Sequence, residues 1–159
     1  MPEERTVEMM RKFQGRVVIP GTVSARALVS HGGFNTLASL QKSLMFGTKD
    51  TICGDQNNPD LYKKKLNGQA LCLPRTIGST TGGMVLYTAA KMGRTPACML
   101  FSEPIDSLAA AGALLTDIWS DAKMPTVDSL GSDFLDYVKT GMMIRIEENG
   151  VVVVEEAGH

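Results

Sequence analysis

A chain of 159 residues is the size of one domain, long enough to bury roughly 70% of the surface its unfolded form exposes. With 43% hydrophobic and 21% charged residues and a net charge of −1, it has no basic excess that would argue for nucleic acid or an anionic membrane as a partner. No apolar run reaches the ~18–20 residues of a membrane span. The start, Met1-Pro2-Glu3-Glu4-Arg5, lacks the apolar segment of a secretory signal, so a cytoplasmic location is expected. Cys53, Cys72 and Cys98 are odd in number and have no CxxC spacing, which argues against a disulfide framework and against a metal site in this chain. Cys72 and Cys98 lie in apolar runs and read as core residues; Cys53, between Ile52 and Gly54, reads either as an exposed thiol near a site or as a loop residue. Ten methionines suit a plastic core or a subunit interface, and Lys63-Lys64-Lys65 reads as a solvated face.

In chain order, Thr6 to Phe13 has the spacing of a short amphipathic helix. Gly15–Gly21 reads as a strand ended by Pro20-Gly21, and Ala25–Ser30 as a second strand ended by Gly32-Gly33; the short link between them suggests antiparallel pairing. Thr36–Met45 has helical spacing, with Asn35 as a candidate cap, although an irregular segment fits as well. Asp55–Tyr62 is a polar loop rich in turn formers. An alternating β/α stretch follows: a strand at 70–74, a loop at 75–83, a helix at 83–92, a strand at 95–101, a helix at 106–119 capped by Asp106 or Ser107, a short strand at 125–130 and a short helix at 134–141. A hairpin around Asn149-Gly150 closes the chain. This order gives an α/β fold built as a β/β/α sandwich, with a mixed central sheet, helices on one side, a strand layer on the other and a C-terminal β-hairpin.

The most informative stretch is Arg75-Thr76-Ile77-Gly78-Ser79-Thr80-Thr81-Gly82-Gly83, between a strand and a helix. Glycines at such a junction leave backbone N–H groups free to face an anion, and Ser79 sets a hydroxyl beside them. Equally, Ser79, Thr80 and Thr81 would serve as helix caps. The loop is neither a Walker A loop nor a GxGxxG fingerprint. A serine hydroxyl needs activation, and helpers are few: Arg75 offers positive charge, and His31, at the end of a strand, reads as a proton carrier or as a hydrogen-bonded loop residue. Glu103 and Asp106 follow a strand end, where carboxylates line crevices; a solvated Glu103 and a capping Asp106 fit too. With no triad spacing and no cluster of metal ligands, the chain looks like one half of a shared site.

Taken in order, Gly15–Gly21, Ala27–Ser30, Leu71–Pro74 with Gly78–Gly82, Glu103–Ile105 and Ala109–Gly112 resemble the small, swivelling-domain subunit of the aconitase X family over roughly Gly15 to Val154. The resemblance implies the swivelling β/β/α domain of the aconitase and isopropylmalate isomerase small-subunit type at 15–156, with an N-terminal extension at 1–14 and a tail at 157–159. It implies a hydro-lyase that is inactive alone and shares its active site with a large aconitase X catalytic subunit, which carries the iron–sulfur cluster. It implies Ser79 as the proton acceptor, with Gly78, Thr80, Thr81, Gly82, Arg75 and His31 as the expected substrate-binding set. The family's substrates are small hydroxy acids: cis-3-hydroxy-L-proline, dehydrated to Δ1-pyrroline-2-carboxylate, is the expected one, and mevalonate 5-phosphate the alternative. Thr80 stands where ordinary aconitase has an arginine, so that enzyme's arginine–carboxylate clamp does not carry over. From other classes, a non-catalytic anion-binding module would act without a partner, and a standalone isomerase or phosphohydrolase is disfavoured for want of a second catalytic group.

Overall fold

A computed structural model describes residues 10–78, 82–119, 121 and 123–156. Ten strands and four helices follow in the order β1 (Met10–Gln14), β2 (Arg16–Ile19), β3 (Val23–Val29), β4 (Phe34–Asn35), α1 (Thr36–Met45), β5 (Ala70–Leu73), β6 (Thr76–Ile77), α2 (Gly82–Lys91), β7 (Cys98–Phe101), α3 (Ser107–Trp119), β8 (Thr126–Asp128), α4 (Ser132–Tyr137), β9 (Met143–Ile146) and β10 (Val151–Glu155). Eight strands form one sheet in the order β1-β10-β9-β3-β5-β7-β8-β2. Its two outer strands are consecutive in sequence and separated by Gly15 alone, so the sheet curls round to form two facing layers. Strand β3 belongs to both layers: Val23–Arg26 pairs antiparallel with β9, and Ala27–Val29 pairs parallel with β5.

Side-chain alternation on the parallel strands builds two cores. Ala27, Val29, Ala70, Cys72, Cys98 and Leu100 point inward, against Phe13, Ile144, Ile146, Val152 and Val154 of the facing layer and against Phe134 of α4. Leu28, Leu71, Leu73, Met99 and Phe101 point outward, against Leu40 of α1 and Leu86 and Ala89 of α2. Strands buried on both faces read as continuous apolar runs, which is how β5 and β7 appear in the sequence. The small inward residues let the layers approach, and the larger side chains come from the opposite layer. The expected β/β/α arrangement is thus the observed one.

Three expectations fail locally. The pattern at Thr6–Phe13 suggests a helix, yet Met10–Gln14 is strand β1, paired with β10 from Met10↔Glu155 to Gln14↔Val151. The valine run of β10 offers an open edge that a strand satisfies and a helix does not. Phe13 fixes the register by packing edge-on to Phe134, 5.3 Å between ring centroids. Strands β2 and β3 are not paired: β2 joins β8 at the far side of the sheet, because both edges of β3 are taken by β9 and β5. Helix α4 ends at Tyr137 rather than running to Gly141; the chain turns extended at Val138, which is fully buried, and Thr140 Oγ1 accepts the Val29 N–H at 3.0 Å. Among the described residues no helix is long and apolar enough to cross a membrane.

Candidate functional site

Parallel strands β3, β5, β7 and β8 all end at one edge of the sheet, where open α/β sheets place their ligands. His31 follows β3, Arg75 follows β5, Glu103 follows β7, and α2 begins at Gly82, four residues on from Gly78. Strands β4 and β6 form a two-residue parallel clip at this edge, Phe34↔Thr76 and Asn35↔Ile77, reinforced by the Phe34 N–H bonding the Arg75 carbonyl at 2.8 Å. The clip anchors the segment at Gly78. Gly78 has φ +102°, a conformation that glycine adopts readily, and an added Cβ would lie 2.8 Å from the Asn35 amide. Asn35 is already committed as the cap of α1, accepting from the Ala38 N–H at 3.0 Å. At the far end, a Cβ on Gly112 of α3 would sit 2.7 Å from the Gly83 Cα, so α2 and α3 meet backbone to backbone near the start of α2.

Between these anchors lies a cavity of about 80 Å3, lined among others by Thr36, Thr76, Gly78, Gly83, Phe101 and Asp106. It touches both ends of the segment holding Ser79, Thr80 and Thr81, three site residues that lie outside the described ones. Asp106 accepts from Thr76 Oγ1 and caps α3 through the Ala109 N–H at 3.0 Å, so one carboxylate joins the clip to the third helix. The volume is well short of the roughly 300 Å3 at which small-molecule pockets begin. A larger hollow of about 590 Å3 lies at the opposite edge of the sheet, lined by Ile19–Thr22 and Ile146–Gly150, and its ionisable lining is Glu147 and Glu148. It lies away from the ends of the parallel strands and from every site residue expected from the sequence, and the smaller cavity is the candidate site.

The remaining expected residues sit at the same edge but do not line this cavity. Arg75 Nη1 lies 2.8 Å from Glu103 Oε2, with both side chains about half exposed, so the positive charge is held only by a solvent-screened ion pair. His31 is tied to Asp60, whose Oδ2 accepts the His31 backbone N–H at 2.8 Å and lies 3.3 Å from Nδ1. Asp60 belongs to the 55–62 loop, which docks through the buried Asn58: its Nδ2 donates to Ser30 Oγ at 2.9 Å, and its Oδ1 accepts the Leu61 N–H. Neither Thr76 nor Asn58 stands out in the sequence. The signal for Asn58 lies in a polar stretch, Asp55–Asp60, that reads as a plain solvent loop.

Below the edge, Arg16 grips Asp128 through Nε–Oδ1 at 2.9 Å and Nη2–Oδ2 at 2.6 Å, and Asp128 also accepts the Ile105 N–H at 2.7 Å. Burial by itself would raise the Asp128 carboxyl; the bonds from Arg16 and Ile105, with the Arg16 charge, outweigh it and hold the group below the ordinary carboxylate value. This pair fixes the loop that carries Glu103 and Asp106.

The three thiols do not suit an iron–sulfur cluster. Cys53 is buried, not exposed, and burial pushes its thiol up. Cys72 and Cys98 are wholly enclosed, with no open face towards a cluster, and burial raises both thiols, Cys98 to about 12. Among the described residues no group of His, Cys, Asp or Glu is arranged to hold a metal ion.

A β/β/α domain with a small cavity at the ends of its parallel strands is the class that this geometry defines. The aconitase X swivel domain model matches residues 12–154, and the chain belongs to that family. It is 26% identical to the phosphomevalonate dehydratase small subunit of Thermococcus kodakarensis, over 92% of this chain and 98% of that one. The protein of the same name from Methanothrix thermoacetophila is 34% identical, over 74% of this chain and 82% of the other. The crystal structure of Thermococcus kodakaraensis aconitase X in its holo-form superposes with a TM-score of 0.77 at 26% identity, covering 92% of this chain and 99% of its counterpart.

Proposed function

We propose that this chain is the small subunit of a two-subunit hydro-lyase whose substrate is phosphomevalonate. The end-to-end likeness to proteins named phosphomevalonate dehydratase small subunit carries the reading, since 98% of the Thermococcus and Pyrococcus chains is covered. The hydroxyproline substrate favoured from sequence gives way here to its alternative, because the relatives matched bear the phosphomevalonate name. A cavity too small for a substrate supports a site completed by another chain. The three buried thiols favour a partner that holds the iron–sulfur cluster.

In this reading the backbone N–H groups between Gly78 and Gly83, at the positive end of α2, hold an anionic group of the substrate. Ser79, as the alkoxide, takes the proton from the carbon beside the carboxylate, with the helix terminus and Arg75 lowering the cost of its charge, and the hydroxyl on the adjacent carbon leaves as hydroxide to give the double bond, a departure that a Lewis acid on the partner would ease. Arg75 exchanges Glu103 for a substrate oxyanion, a trade that a weak exposed ion pair permits. Docking on the large subunit closes the site and excludes water.

The test is to purify the chain with its large subunit and assay the pair, and each subunit alone, on phosphomevalonate and on cis-3-hydroxy-L-proline. Dehydration of phosphomevalonate by the pair only is the expected result. Turnover of cis-3-hydroxy-L-proline alone would overturn the substrate, and a stable chain that binds no large subunit would replace the hydro-lyase with an anion-binding module.

A further inference from the structure

The site cavity is too small for a substrate but not for part of one. Its volume of about 80 Å3 is less than three times the ~30 Å3 that a water molecule takes up in the liquid, so it has room for a few heavy atoms. Its wall includes Ile77, Leu86, Phe101, Ile105, Ala109 and Ala113. The polar side chains of the lining are largely spent on the protein itself. Thr76 Oγ1 donates to Asp106, Asp106 Oδ2 accepts the Ala109 N–H at 3.0 Å, and Thr126 Oγ1 donates to the Met124 carbonyl at 3.1 Å. Thr36, the fourth, is buried. Such a lining offers contact to a small apolar branch and few free partners to a polar one. Gly78 and Gly83 both line the cavity, so it lies beside both ends of the segment that holds Ser79.

We propose that this cavity is the subsite for a methyl branch on the carbon that carries the leaving hydroxyl, and that Ala109 and Ala113 set its depth. The inference rests on the phosphomevalonate reading and adds the part of the substrate that this chain selects. Phosphomevalonate bears such a methyl, on the carbon next to the one that loses its proton; cis-3-hydroxy-L-proline has only hydrogen there. A group that holds this methyl must lie close to the base, and the cavity adjoins the segment of Ser79. Ala109 and Ala113 stand four residues apart on α3 and so share one face of it. A larger side chain at either position takes up the space left for the methyl. Ile77 of β6, 50% exposed, adds to the same wall and can be cut back without opening a core.

The test uses the assembled pair and compares kcat/KM for phosphomevalonate with that for its analogue lacking the methyl. The unaltered pair is expected to favour the methyl-bearing substrate about tenfold or more. Ala109→Val and Ala113→Val fill the cavity and are expected to lower that preference about tenfold. Ala111→Val, the same change at an exposed position of α3 outside the lining, is expected to leave it within about twofold. Circular dichroism and thermal melts establish that each variant is folded. Ile77→Ala adds no bulk and keeps the subsite testable should a valine variant misfold; it is expected to raise kcat/KM for the analogue with ethyl in place of methyl, relative to phosphomevalonate, by about fivefold. Failure of the unaltered pair to dehydrate phosphomevalonate would sink the reading on which the subsite rests. Dehydration with no preference for the methyl, or with a preference that neither the valine variants nor Ile77→Ala alter, would overturn the subsite while leaving that reading intact.

Discussion

Asp128 shows how one buried charge organises a site it does not touch. Its carboxylate holds Arg16 of β2 and the Ile105 N–H, and so sets the loop that delivers Glu103 and Asp106 to the strand ends. Replacing it with alanine removes charge-assisted bonds and strands a backbone donor, a loss of about 2–3 kcal/mol in stability. The sign of the pH effect follows from the depressed value. The stabilisation is complete above the ordinary carboxyl value of 3.8 and is lost as pH falls through the lower folded value. Thermal melts should therefore show Asp128→Asn far below the unaltered chain at pH 6, with the gap narrowing at acid pH below that ordinary value. The cysteines give a second expectation at this scale. With all three buried and their thiols raised, a water-soluble thiol reagent at pH 7.5 should label the native chain slowly and the unfolded chain at three sites. Rapid labelling of Cys53 in the native chain would contradict its burial.

The elements were legible in proportion to how local their causes are. Asn149-Gly150 announced its hairpin because φ of +69° and +78° is what such a turn requires, and β9 and β10 flank it as expected. The cap at Asn35 and the apolar runs of β5 and β7 are equally local. Strand β1 was missed because its cause is distant: the open edge of β10, 141 residues on from Met10 at Val151, decides that Met10–Gln14 is extended. The same holds at the site. Gly78, with its positive φ, and the start of α2 after it could be read from the glycines, but the Thr76–Asp106 bond and the docking of Asn58 onto Ser30 join residues about 30 positions apart and left no pattern to read. The contact of α2 with α3 belongs to this class too. Gly112→Ala improves the intrinsic helix propensity of α3, yet its Cβ meets Gly83 at 2.7 Å and 3.0 Å. Overpacking is expected to win, with a net loss of about 1–2 kcal/mol in denaturant melts and a larger fall in the activity of the assembled pair, because the start of α2 carries the site loop. A stabilised Gly112→Ala variant would show that the two helices have room to part.

At the scale of the whole molecule, the layers divide the work. The inner core ties the antiparallel layer to the parallel one, the outer core seats α1 and α2, and the parallel strands end at the small cavity. The domain holds these parts in place, but the cavity at the strand ends is too small to hold a substrate by itself. That is the architecture expected of a chain that contributes one wall and one reactive hydroxyl to a site that another chain completes. The direct test is Ser79→Ala in the assembled pair, read by turnover, by affinity for the large subunit and by the melting curve of the small subunit alone. The expected result is loss of dehydration by about a thousandfold or more, with assembly and melting unchanged. Activity close to that of the unaltered pair would contradict the proposed role of Ser79, and with it the idea that this chain supplies chemistry as well as shape.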